Sequence, residues 1–372
     1  MRGNGRESVK TIVKDQMSRR DFIRAVAVAT GAVLILPSCR PAATPMPSGP
    51  ELTVGLVDTS AFRKDPPWTV GRSGMGEVNA WQVIRSHHFD YGFTQKYAGM
   101  FGEIIYTQAF FDPAQQVSDL EDILTHEIDV LFVHPVSGGN AIAQIEEAMG
   151  RNIPVILGGA RAFTEDYVSY VDRDNPGCGL LYAEYIARKI NYEGNVVLMM
   201  GLAGNTYAED VLRGAREGLA KYPGIVEAGL QFGEWSPVVG KSAMEALLVS
   251  VDRIDAILND GGDMGIGIID AYLDAGLPVP PMCGDDNNGW MRKARENNVQ
   301  FLAVHGGAEL ALDEVDIAVK VLKGEPVPKN ILADIPRFEE DELDTYYRPD
   351  LNDQYWAINQ LPEDLIMELY SA

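Results

Sequence analysis

Acidic and amide side chains crowd one stretch of this chain. Between Ile254 and Trp290, IDAILNDGGDMGIGIIDAYLDAGLPVPPMCGDDNNGW, the residues Asp260, Asp263, Asp285, Asp286 and Asn287 follow two apolar runs, Ile254–Leu258 and Val279–Cys283. An amphipathic segment separates the runs, so the stretch is a β-α-β unit with its polar residues at the carboxyl ends of the strands. Open α/β sheets bind ligands at those ends. Short carboxylates and amides beside glycine-rich backbone suit hydrogen bonding to a polyhydroxylated small molecule.

Similar loops recur elsewhere. Ser73 to Trp81 (SGMGEVNAW) includes Ser73, Asn79 and Trp81; His134-Pro135 follows an apolar run, and Arg161 and Phe163 follow Gly158-Gly159. Val171 to Asn175 (VDRDN) precedes a helical pattern and supplies Asp174 and Asn175. Trp235 and His305 each end an apolar run. Aromatic faces cover sugar C–H surfaces while Asp, Asn and Arg satisfy hydroxyls. Each residue also has a plainer reading: Asp174 and Ser137 as helix caps, Trp81 and Trp235 as core aromatics, Arg161 as a surface charge. The recurrence favours the ligand reading. Enzyme signatures are missing. There is no Walker loop or nucleophile elbow, and Gly262-Asp263-Met264-Gly265-Ile266-Gly267 lacks dinucleotide spacing. The histidines and cysteines lack metal-ligand spacing. A non-enzymatic protein with no cofactor or metal is expected.

Strands alternating with amphipathic helices must position these loops. The first strand is placed at Trp68–Arg72, ahead of a helix over Asn79–Lys96, in preference to Leu52–Val57; residues 51–65 then form an added amino-terminal piece. Strands follow at Ile104–Thr107, Val130–His134, Pro154–Gly158 and Val168–Val171, then at Asn195–Met200, Val226–Phe232 and Gln300–Val304. Such alternation means parallel sheets covered on both faces. About ten strands are too many for one ordinary sheet, so two lobes are expected.

The amino terminus is an address. Ser18-Arg19-Arg20-Asp21-Phe22 is a twin-arginine pattern, followed by an uncharged run, Ala25–Leu36, too short to span a bilayer. Leu36-Pro37-Ser38-Cys39 resembles a lipobox. Residues 1–38 are read as a lipoprotein signal peptide and Cys39 as the lipidated residue, with Arg40–Pro50 as a Pro/Ala-rich tether. The net charge of −23 argues against nucleic acid or an anionic membrane surface as partner, leaving the lipid as the membrane attachment. Cys178 and Cys283 remain after processing and read as small buried hydrophobes, with a disulfide as the other reading. Phe338–Ala372 breaks the alternation; its Tyr346, Tyr347, Tyr355 and Trp356 suggest a tail docked on a lobe.

Taken together, PWTVG at 67–71 leading to Asn79-Ala80-Trp81, DPAQQ at 112–116, Asp174-Asn175, GLAG at 201–204, GDDNNG at 284–289 and KVLKG at 320–324 resemble the type I periplasmic sugar-binding proteins, the ribose-binding-protein family. The resemblance spans about Pro66–Ile335 and is similar to the lipoprotein branch serving carbohydrate ABC transporters. It implies two Rossmann-like lobes joined by a three-crossover hinge that closes on ligand. The implied lobes are 66–173 plus 306–330 and 174–305 plus 331–337, with 338–372 as tail. By position, Trp235 matches a stacking aromatic, Asp286 the carboxylate that grips hydroxyls, and His305 a polar group at the last crossover. Asp174 and Asn175 match the first crossover, and Arg213 is taken as the ligand arginine. The family's Asp-Arg pair after the fourth strand is replaced by Gly158-Gly159-Ala160-Arg161, which implies a ligand other than ribose. The expected protein is an exported, lipid-anchored monomer that captures a monosaccharide or polyol and delivers it to an ABC permease. A receptor presenting a small signal molecule to a membrane sensor is the other reading.

Overall fold

Four-residue runs with every residue buried, Val130–Val133, Val155–Gly158, Ala256–Asn259 and Phe301–Val304, have the character of strands covered on both faces. In the computed structural model, which describes residues 55–372, they form the centres of two six-stranded sheets. The signal segment, Cys39, the tether and residues 51–54 lie outside the described residues.

In chain order the strands are β1 (Leu56–Val57), β2 (Trp68–Gly74), β3 (Phe101–Gln108), β4 (Val130–Val133), β5 (Val155–Gly158), β6 (Ser169–Arg173) and β7 (Glu193–Met200). They continue as β8 (Gly224–Phe232), β9 (Ala256–Asn259), β10 (Met282–Asp285), β11 (Phe301–Val304), β12 (Val327–Pro328), β13 (Asn330–Ala333) and β14 (Arg337–Glu339). The first lobe's sheet runs β13-β6-β5-β4-β2-β3 and the second's β14-β11-β10-β9-β7-β8. Neighbours are parallel except β14, which pairs antiparallel with β11. Each sheet has an apolar core on both faces. Cys178 and Cys283 are unbonded and buried in one of these cores. No helix among the described residues is long and apolar enough to cross a membrane.

The chain passes between lobes after β6, after β11 and after β13, so three segments make the hinge. One expected boundary needs correction. Residues 331–337 do not all belong to the second lobe, because Asn330–Ala333 pairs in parallel with Tyr170–Arg173 in the first. Only Arg337–Glu339 joins the second sheet. The pairing of β13 is set by residues some hundred and sixty positions away, which the local pattern NILA does not reveal. The added amino-terminal piece also belongs to the first lobe: β1 pairs with β12, and Phe62 enters the core.

The tail is an integral part of the fold. Leu351, Tyr355, Trp356, Leu361, Ile366 and Tyr370 form a buried cluster with Ala80, Ile84 and Ala308. Asn288, itself fully buried, donates through Nδ2 to the carbonyls of Arg348 (2.9 Å), Leu351 (3.0 Å) and Asn352 (3.1 Å).

Behind the first lobe's cleft, Arg85 and Glu314 are paired at 2.5 Å and are 3% and 1% exposed. A Cβ on Gly158 would lie 1.8 Å from Glu314 Oε1, so a strand without a side chain there leaves room for the pair. Removing one partner strands the other charge in low dielectric. Glu314→Ala should therefore lower unfolding free energy by about 3–5 kcal/mol, read from urea denaturation. A loss below about 1 kcal/mol would mean that water reaches Arg85.

Candidate functional site

The carboxyl ends of both sheets face one cleft, as parallel topology requires. A cavity lies there, partly open to solvent. From the first lobe, Met75, Asn79, Trp81, Gln82, His134 and Gly159 line it; from the second, Asn205, Tyr207, Trp235, Asp260, Gly261, Gly262, Asp263 and Asp285. Arg173 and Gly306 come from hinge segments and Trp356 from the tail.

Helix starts and strand ends hold these groups. Asn79 caps the helix Ala80–Tyr91, its Oδ1 accepting from Gln82 N at 3.0 Å, which fixes Trp81 and Gln82 in the first turn. Trp81 Nε1 donates to Gly306 O at 2.8 Å, and its ring lies 5.5 Å from that of His134. Asn205 caps the helix Thr206–Leu219 and so sets Tyr207. That helix packs closely on Asn175–Lys189: a Cβ on Gly214 would lie 2.0 Å from Pro176 O. Trp235 follows β8 with φ of 48°, left-handed backbone that bulky residues seldom adopt. Its indole lies on bare backbone, since a Cβ on Gly201 would be 1.8 Å from Trp235 Cε2. Strain of this kind is commonly held at functional sites.

The lobes meet at the rim. Asn205 Nδ2 donates to Pro135 O (3.3 Å) and Val136 O (3.1 Å), and Arg161 pairs with Asp210 at 2.6 Å. Ala80 N donates to Asp263 Oδ2 at 3.3 Å, and Phe111 meets Trp235 edge to face. These contacts join the two lobes beside the cavity.

Five of the sequence-derived site residues line the cavity: Asn79, Trp81, His134, Trp235 and Asp263. The others sit elsewhere. Ser73 is buried beneath the site, accepting from Gln116 Nε2. Arg161 bridges the lobes. Asp174 caps the helix Asn175–Lys189 through Gly177 N, and Asn175 donates to Asp172 Oδ2 at 2.8 Å. Arg213 is half exposed and pairs with Asp210 at 2.8 Å, outside the cavity lining. His305 turns to Glu309, 2.6 Å away, and offers only its backbone carbonyl to Arg173. Asp286 is wholly buried, its carboxylate accepting from Gly306 N (2.7 Å) and Ile358 N (2.7 Å). The neighbouring Asp285 lines the cavity instead.

Asp260 and Asp285, at strand ends in the acidic stretch, also line the cavity. Arg173, Asn205, Tyr207, Gln82 and Trp356 are lining residues that the sequence does not assign to the ligand, although Arg173 stands beside Asp174. No local signal brings Trp356 there.

Electrostatically the cavity sets three carboxyls against one guanidinium. Burial pushes the Asp260 carboxyl up to about 7 against the pull of the Gly201 N–H and the Trp235 side chain. Burial also raises Asp263 to about 7 and Asp285 well above the carboxylate range. His134 is pushed well below its ordinary value by burial, with Arg85 and Arg72 adding to the effect, and is neutral. Such a site offers acceptors for hydroxyl hydrogens, a guanidinium and amides for oxygens, and aromatic faces. Among the described residues no group of three His, Cys, Asp or Glu is placed to hold a metal ion.

A carboxyl raised in the fold keeps a proton that the unfolded chain gives up near 3.8. That stabilisation is complete below the unfolded value and is lost as pH rises through about 7. Without ligand, the melting temperature should fall across this window, and Asp260→Asn should flatten the fall. An identical pH profile in the variant would remove Asp260 as its source.

The periplasmic binding protein domain model matches residues 91–326, well over half the chain. The xylitol-binding protein of Mycolicibacterium smegmatis is 23% identical over 244 residues, covering 65% of this chain and 70% of that protein. The ribose import binding protein RbsB of Escherichia coli K12 is 25% identical over 228 residues, covering 60% and 76%. Among solved structures, a Mycobacterium smegmatis protein in complex with β-D-fucofuranose superposes with a TM-score of 0.70 at 23% identity, covering 75% of this chain and 93% of that one. A galactofuranose-binding protein gives 0.70 at 22% identity, covering 75% and 97%. With two parallel-sheet lobes, three crossings and a cavity at the strand ends between them, the chain belongs to the periplasmic binding protein family, a family of binding proteins rather than enzymes.

Proposed function

We propose that this protein is an exported, lipid-anchored, monomeric receptor that captures a monosaccharide or related polyol between its lobes and delivers it to an ABC permease without chemical change. The observation that carries this reading is a cavity whose walls from both lobes combine aromatic faces with carboxyl and amide groups. In it Trp235 stacks on the ligand, and Asp260, Asp263 and Asp285 accept from hydroxyls. Arg173, Asn79, Gln82 and Asn205 bond the ligand's oxygens. Closure is favoured when ligand hydroxyls satisfy groups on both lobes together. Relatives named for xylitol, ribose and galactofuranose support a pentose, a pentitol or a furanose ring. The twin-arginine pattern and Cys39 support export and anchoring.

Thermal unfolding of the purified protein against pentoses, pentitols, hexoses, nucleosides and amino acids tests the ligand class. At a hundredfold excess over Kd a true ligand adds about 2.7 kcal/mol, a clear melting shift, and Trp235→Ala should weaken that ligand at least about tenfold. A shift with amino acids or nucleosides and none with any carbohydrate would overturn the sugar reading. Separately, Cys39→Ser should move the protein from the membrane fraction to the soluble one. Membrane retention of that variant would rule out lipidation at Cys39.

A further inference from the structure

The carboxy-terminal segment crosses from one lobe to the other a fourth time, and it does so over the cavity. Residues 348–358 belong to the second lobe. Besides the three bonds from Asn288 Nδ2, Asn288 N donates to Tyr355 O at 2.8 Å, Gly289 N to Asp353 O at 3.2 Å and Ala357 N to Asp286 O at 3.0 Å. Residues 360–370 belong to the first. Gln360 N donates to His88 Nε2 at 3.1 Å, and the Tyr370 hydroxyl lies 2.5 Å from His87 Nδ1. The crossing point is marked by Ile358 N on the Asp286 carboxylate.

At this crossing Trp356 is 2% exposed, yet it lines the cavity. Its ring lies flat against the hinge: a Cβ on Gly306 would be 2.1 Å from Trp356 Cζ3. Gly306 O meanwhile accepts from Trp81. Trp356 is therefore wedged between hinge backbone and ligand space, held by groups on both lobes. Its Nε1 is buried and has no partner among the described residues. The segment also engages Asp286, whose carboxylate is bonded to Ile358 N and Gly306 N within the protein.

We propose that the carboxy-terminal segment is the third wall of the binding site and that Trp356 is its specificity-determining residue. The indole caps the length of ligand the cleft accepts, and Nε1 donates to a ligand oxygen. Trp356 closes this end of the cavity, so the site favours compact five-carbon polyols and furanoses over longer ligands. This rests on the sugar-receptor reading above.

The test is calorimetric titration of the full protein with a size series: tetritols, pentitols, pentoses, hexoses and disaccharides. Wild type should bind the five-carbon compounds best. Trp356→Ala should weaken them by about tenfold or more and strengthen hexoses or disaccharides relative to wild type. Trp356→Phe keeps a flat wall without the N–H. It should preserve the size limit and weaken all wild-type ligands by a similar factor. Melting curves of both variants check that they are folded. If folded Trp356→Ala keeps the wild-type size ranking, whether or not affinity falls, the specificity role is wrong and the sugar reading stands. If wild type binds no member of the series, the sugar reading fails, and this proposal with it.

Discussion

Polar groups taken out of water must find partners, and the cleft of this protein is arranged around groups that have too few. Asp260 is 1% exposed, with only the Gly201 N–H and the Trp235 side chain to offset its burial. His134 Nδ1 and Trp356 Nε1 are buried and have no partner among the described residues. Leaving such atoms unbonded costs about 1–3 kcal/mol each. Rim contacts hold the lobes together around these groups. A molecule able to supply donors and acceptors to both walls would satisfy them.

The rest of the molecule keeps those groups fixed. Two parallel sheets direct their carboxyl ends at one another. Helix caps at Asn79 and Asn205 set the aromatics beside them, and bare backbone at Gly201 and Gly306 lets two indoles lie flat. Arg161 does not reach the cavity; its pairing with Asp210 joins the rims. Charges that sequence reasoning gave to the ligand are thus partly used to hold the lobes together.

Much of the fold could be read from the chain because its signals are local. Runs such as VLFV, AILN and FLAV, each followed by a polar turn and an amphipathic stretch, define parallel strands without reference to anything distant. β13 and β14 escape the local pattern: β13 pairs with Tyr170–Arg173, about 160 residues back, and β14 is a three-residue strand that pairs antiparallel with Leu302–Val304. The site was legible where a residue ends a strand or opens a helix, as with Asn79, Trp81, His134, Trp235 and Asp263. It failed by one position at Asp285 and Asp286. Both carboxylates stand together; the N–H groups of Gly306 in the hinge and Ile358 in the tail take up Asp286, and Asp285 lines the cavity. Trp356 was visible as an aromatic in an acidic tail, but its destination is tertiary.

The late strands have a consequence for how the chain is made. β13 completes the first lobe's sheet and β14 the second's, and both lie beyond residue 329. A ribosome that has finished β11 has supplied most of both cores, yet each sheet still has a bare edge where its last strand belongs. Native structure must then wait for late pairing, over about 160 residues for β13 and about 35 for β14, which leaves edges open to wrong partners until then. Folding of both lobes is for this reason coupled to completion of synthesis.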